Sequence, residues 1–320
     1  METTGGKTGS GRTAAAHRPG EFRRYLKRRG FLLYLFFLPV ALYYLVFHYV
    51  PMYGVIIAFK DFSPFLGILR SPWVGFEHFL TFFRSIYFFR LLRNTFLISF
   101  YSLLFGFPVP ILFALLLNEL PGRRLRSIIQ SLTYVPHFVS TVVVAGLLYT
   151  FLSPSAGFVN AIVTGLGGKA VDFLREPAWF RFLYVLSGVW QQMGWGSIIY
   201  VAGLSAIDVQ LYEAADMDGA GRLRKMWSIS LPGILPTIVT MLLLNLGRLM
   251  TVGFEKVFLL YNSATYETAD VISTYVYRSG IMEQQYSFAA AVGLFNSVVT
   301  LVLLTGFNWI SRRMSEFSLW

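Results

Sequence analysis

Long apolar runs broken by short polar clusters dominate the chain, and no charged residue falls between Arg29 and Lys60. A bilayer core of about 30 Å takes roughly 20 apolar residues in helix. The first run therefore predicts a span at about 31–51, with Pro39 inside it and Pro51 at its end. Arg93 and Glu119 bracket a second span, kinked at Pro108 and Pro110. Residues 128–152 make a third, and Arg181 and Asp208 enclose a fourth. The fifth begins at Leu231-Pro232, where proline suits the first helical turn, and runs to about 254; the sixth covers 286–310. The pattern predicts an all-α polytopic membrane protein with six transmembrane helices.

Six spans put both termini on one side. The segments then sharing that side are 1–29, 119–127, 206–230 and 311–320, and they hold sixteen of the 27 basic residues. Lys and Arg are retained on the cytoplasmic side of such proteins, so the expected orientation is N-in/C-in. Residues 1–29 form a cytoplasmic tail that ends in a basic anchor, 30–312 the transmembrane domain, and 313–320 a second cytoplasmic tail. No small-residue cleavage site closes the first apolar run, so it is expected to stay as a span. The opposite loops, 52–92, 153–180 and 261–285, are rich in aromatics, Pro and Gly, as at Phe62-Ser63-Pro64-Phe65, and are expected to be ordered.

Composition agrees with lipid as the main solvent. Hydrophobic residues make up 55% of the 320, and charged residues only 13% against the roughly 25% of soluble domains. Mean hydropathy is +0.58. The net charge of +11 would suggest nucleic-acid binding in a soluble protein, but here the basic residues flank apolar runs and set topology instead. There is no cysteine, hence no disulfide or thiolate site, and His17, His48, His78 and His137 make no ligand-spaced pair, so no metal is expected. Gly6-Lys7-Thr8 imitates the end of a phosphate-binding loop, but that motif needs a glycine where Met1 stands and a strand before it. ATP is not expected to bind there.

The polar loop 206–232 carries the most specific signal. Glu213-Ala214-Ala215 is good helix material, and Gly219 and Gly221 can end that helix. Arg222, Arg224 and Lys225 then alternate with Leu223, Met226 and Trp227, as in an interfacial helix. Glu213-Ala214-Ala215, Gly219 six positions after the Glu, nine residues, then Ile229-x-Leu231-Pro232 resembles, without a gap, the EAA signature of binding-protein-dependent ABC importer permeases. Asp218 matches the aspartate common before that glycine. The resemblance covers about 30–312, including Phe47 to Gly54, Ala58 to Phe62 and Gly253 to Asn262. It points to the carbohydrate branch, and most closely to the subgroup handling complex oligosaccharides such as polygalacturonan- and alginate-type uronic acid oligomers. It implies a type I importer fold in a bacterial plasma membrane. It also implies separate ATPase subunits (one kind or two) that use ATP and magnesium, a second homologous permease subunit, and an extracytoplasmic solute-binding protein. The chain itself would hold no cofactor and catalyse no reaction. Glu213, Ala214, Ala215, Asp218, Gly219, Ile229, Leu231 and Pro232 would form the segment that couples to the ATPase.

Polar residues inside spans are costly and mark candidate sites. In the fifth span Asn245, Arg248 and Glu255 fall at helical spacing on one face. Arg248 would suit a sugar carboxylate, or pair internally with Glu255, or reach the outer interface. Gln191, Gln192 and Trp195 in the fourth span mix amides with a stacking ring. Asn296 in the sixth is a further path candidate, or a tie between helices. An ion-coupled sugar carrier is the alternative. It should show intramembrane Asp or Glu, and apart from Glu255 at one edge the six cores have none. A membrane-embedded enzyme would need clustered His, Asp or Glu, which are missing too.

Overall fold

The computed structural model describes residues 33–247 and 249–314, with side chains as far as Trp309. The predicted N-terminal tail, Arg248 and the last six residues lie outside them. The chain divides after Val55 into two units.

α1 (Leu33–Phe59), which belongs to the first unit as far as Val55, begins as an uncharged helix whose side chains are exposed, as a lipid-facing span requires. Pro51 lacks the N–H of the helical ladder, and its ring crowds the carbonyl four residues earlier. The helix answers by widening into a π-turn at Leu45–Tyr49, just before that proline.

The second unit is built on α3 (Phe88–Asn118), α7 (Pro177–Ser205) and α13 (Tyr286–Met314). α3 continues through Pro108 and Pro110 as one element and packs on α7, burying Ile111, Ala114 and Leu115 with Tyr200, Leu204 and Ile234. α2 (Glu77–Arg84) brings the fully buried Phe82 against Phe88, Tyr275, Phe288 and Phe295. The ring of Phe59 stacks on Trp73 at 5.7 Å. The aromatic loop 52–92 is thus ordered, as its composition implied. Among the described residues there is no β-sheet, only an isolated bridge between Lys60 and Trp73.

The other spans are bent. α4 (Arg123–Phe138) and α5 (Thr141–Phe151) meet at 96°, because Val139 is extended and the Ser140 hydroxyl caps the new helix at the Val143 N–H. The span expected over 128–152 is therefore an elbow. α7 turns by 73° into α8 (Val209–Met217), and α9 (Arg222–Gly233) turns by 61° into α10 (Leu235–Leu246). Among the described residues three helices are long and apolar enough to cross a membrane, or up to six if each bent pair is one span. α10 also ends at Leu246, about eight residues short of its expected end. Gly247, Thr251 and Gly253 are poor helix formers, and a separate helix, α11 (Phe254–Leu260), follows. Asn245 and Glu255 consequently sit on different helices and share no continuous face.

A buried charge cluster ties the ends of these helices together. Asp270 is fully buried and receives Arg278 at 2.8 Å and Arg90, from α3, at 3.3 Å. Asn94 donates to the Glu267 and Asp270 carbonyls and accepts from Arg181 of α7 at 2.8 Å. Burial works against the charge on Arg278, but the hydrogen bonds and charge of Asp270 outweigh it and hold the guanidinium pKa above its ordinary value.

Candidate functional site

Two places bring the candidate residues together. The first is the α8–α9 turn. Asp208 starts α8 by accepting from the Gln210 N–H. Glu213 and Ala214 are exposed, Ala215 is half-buried, and Met217 is 90% exposed at the end of the helix. The helix stops because Gly219 takes φ +73, the left-handed region that glycine enters freely. Its N–H donates to Asp216 O at 3.0 Å and the next N–H, of Ala220, to Ala215 O at 2.9 Å, a Schellman closure with Asp218 as the cap. The returning arm is held by two side-chain ties. Tyr212 and Ser230 meet hydroxyl to hydroxyl at 2.9 Å, and Lys225 pairs with Asp216 at 2.6 Å.

Ile229 and Leu231 are half-buried, and Pro232 is exposed. A second π-turn, Met226–Ser230, precedes Pro232 just as the first precedes Pro51. The arrangement leaves Leu211, Met217, Leu223 and Trp227 exposed beside Arg222 and Arg224.

The second place is a cavity of about 1080 Å³ bounded by α3, α7, α10 and α11. Gln191, Gln192, Trp195 and Asn245 all line it. Glu255 is exposed on the first turn of α11 and does not. Asn296, on α13, is absent from the lining too, and its buried side-chain oxygen has no hydrogen-bond partner. Arg248 lies outside the described residues.

The amides are already partly engaged. Gln191 donates to Val139 O at 2.7 Å, Gln192 Oε1 lies 3.1 Å from His137 Nδ1, and Trp195 stacks on the His137 ring at 4.4 Å. They pin the α4–α5 elbow to α7 while still facing the cavity. Asn245 spends one donor on Met241 O of its own helix.

Lys256 was not foreseen as part of this lining. Its neighbour Glu255 was the residue expected on the path; the break after Leu246 starts a new helix that puts Lys256, and not Glu255, on the cavity wall. Ser99 joins it there, its hydroxyl buried without a partner. Amides, hydroxyls and an indole face are what sugar hydroxyls and the apolar face of a pyranose ring require. Among the described residues, no Asp or Glu lines the cavity. Among the described residues, no group of three His, Asp or Glu is placed to hold a metal.

The chain is similar to known proteins along most of its length. Residues 106–316 match the family described as binding-protein-dependent transport system inner membrane component. Protein LplB of Bacillus subtilis is 46% identical over 284 residues, which is 89% of each chain. The polygalacturonan/rhamnogalacturonan transport system permease protein YteP of the same organism is also 46% identical, over 89% of this chain and 88% of its own. In the crystal structure of a bacterial alginate ABC transporter in complex with an alginate pentasaccharide-bound periplasmic protein, one chain superposes with a TM-score of 0.84. It is 45% identical, over 92% of this chain and 99% of that one. The chain belongs to the family of binding-protein-dependent transport system inner membrane components.

Proposed function

We propose that this chain is the membrane permease subunit of an ATP-driven importer for oligosaccharides, and that uronic acid oligomers are among its cargo. The carrying observation is the presence, in one chain, of a polar cavity among apolar helices and an ordered, exposed helical turn at Glu213–Gly219. Near full-length relatives named for polygalacturonan/rhamnogalacturonan and alginate transport support the choice of cargo.

In this reading the bent pairs are single spans, giving six, with both termini and the α8–α9 turn in the cytoplasm. A sugar handed over by an external binding protein enters the cavity from outside. Separate ATPase subunits cover Glu213, Ala214, Met217 and the exposed face of α9, and their closure on ATP is passed through the tied turn to α7 and α10. A second permease chain completes the path. The chain holds no nucleotide and no cofactor of its own. An ion-coupled carrier would need an acidic residue in its path, and among the described residues the cavity lining has none.

The test is uptake of tetragalacturonate by the reconstituted complex in proteoliposomes. Accumulation should require internal ATP and survive a protonophore and a sodium ionophore. Uptake that persists without ATP and collapses with the ion gradient would replace this reading by the carrier.

A further inference from the structure

Among the described residues, Lys256 is the charged member of the cavity lining. Its ammonium donates to the backbone carbonyl of Tyr184 at 2.8 Å and lies 4.8 Å from the centre of the Tyr184 ring. Both partners are neutral. The ion pairs among the described residues are Arg90–Asp270, Arg278–Asp270 and Lys225–Asp216, and none includes Lys256. A β-carbon at Gly188 would stand 3.3 Å from the ammonium, so this glycine leaves the space in which the lysine lies against α7.

An ammonium has three donors. One is used by Tyr184 O, which leaves two for whatever enters. A cation withdrawn from water without a counter-ion is costly, and an anionic occupant removes that cost. Ser99, with its unpartnered buried hydroxyl, and Asn245 line the same cavity and can take sugar hydroxyls beside the charge.

We propose that Lys256, seated against α7 through Tyr184 and Gly188, is a carboxylate-reading subsite that selects oligosaccharides carrying uronic acid units. This rests on the reading of the chain as an oligosaccharide permease. Lysine reads a carboxylate as a point charge and not through a fixed fork, so arginine should serve in its place, whereas an uncharged residue of similar length should not.

The test compares wild type, Lys256→Gln and Lys256→Arg in the full complex with its own binding protein. The probes are tetragalacturonate, tetramannuronate and neutral maltotetraose at subsaturating concentration. Assembly should be the same in all three. Uptake of the acidic oligomer should fall tenfold or more in Lys256→Gln and stay within about threefold of wild type in Lys256→Arg. Three results would overturn the subsite: full uptake in Lys256→Gln, equal loss in the arginine variant, or failure of Lys256→Gln to assemble. Wild-type uptake of maltotetraose alone would also overturn it while leaving the permease reading intact. Uptake of none of the three probes would instead sink the permease reading.

Discussion

Tyr212 on α8 and Ser230 on α9 meet through their hydroxyls at 2.9 Å, closing the ends of the turn that contains Gly219. Ser230 is buried at 1% exposure and Tyr212 is half-buried, so the bond is partly shielded from water. Tyr212→Phe removes one hydroxyl and leaves the other buried, at a cost of about 1–3 kcal/mol. The turn should open more often, and trypsin should cut at Arg222 and Arg224 faster in the detergent-solubilised chain. An unchanged cleavage rate would mean that this bond does not hold the turn.

Gly219 tests the same turn through the backbone. A β-carbon there would meet nothing within 4 Å inside this chain, so the penalty of Gly219→Ala comes from its φ of +73 alone. That penalty is about 1–2 kcal/mol. ATP hydrolysis stimulated by sugar-loaded binding protein should fall with alanine and recover largely with asparagine, which tolerates this conformation. Leucine has the same backbone cost as alanine, so any extra loss in Gly219→Leu measures contact with the ATPase. Full stimulation in all three variants would remove the coupling role from the turn.

Asp270 makes a prediction about stability rather than transport. Asp270→Asn keeps the shape but leaves Arg90 and Arg278 without their shared counter-charge. Breaking a buried pair of this kind costs about 3–5 kcal/mol. The variant should give little folded protein in detergent and a clearly lower melting temperature. Wild-type yield and melting temperature would show that water supports the two arginines there.

Much of this was legible in the sequence because lipid imposes long uncharged runs, and such runs survive any detail of packing. Gly219 was legible for a similar reason: a helix closed by a left-handed residue is a local event. The bends were not. Ser140 as a cap and Gly247 as a stop compete with strong apolar runs on both sides, and periodicity alone favours a straight helix. Lys256 was missed as a consequence: on a fifth span drawn as one helix Glu255 takes the face of Asn245, and only the new helix after the break puts Lys256 on the cavity wall instead. The Tyr212–Ser230 tie and the hold of Gln191 on Val139 join residues 18 and 52 positions apart. Only the turn and the elbow bring them together.

The final prediction concerns orientation. The chain has no cysteine, so single cysteines give a clean label. Ser228, on α9 beside the Arg222–Lys225 cluster, and Ser263, just after α11, are both exposed. If the basic clusters hold α9 in the cytoplasm, Ser228→Cys should resist an impermeant maleimide in intact cells and react once the membrane is opened and the ATPase stripped away. Ser263→Cys should react in intact cells. The two residues lie on either side of α10 and the segment that follows it, so opposite labelling means that this stretch crosses the membrane despite the early stop of α10 at Leu246. Equal labelling from outside would make α10 re-entrant, put Ser228 and Ser263 on one face, and reverse the assignment of the α8–α9 turn to an ATPase in the cytoplasm.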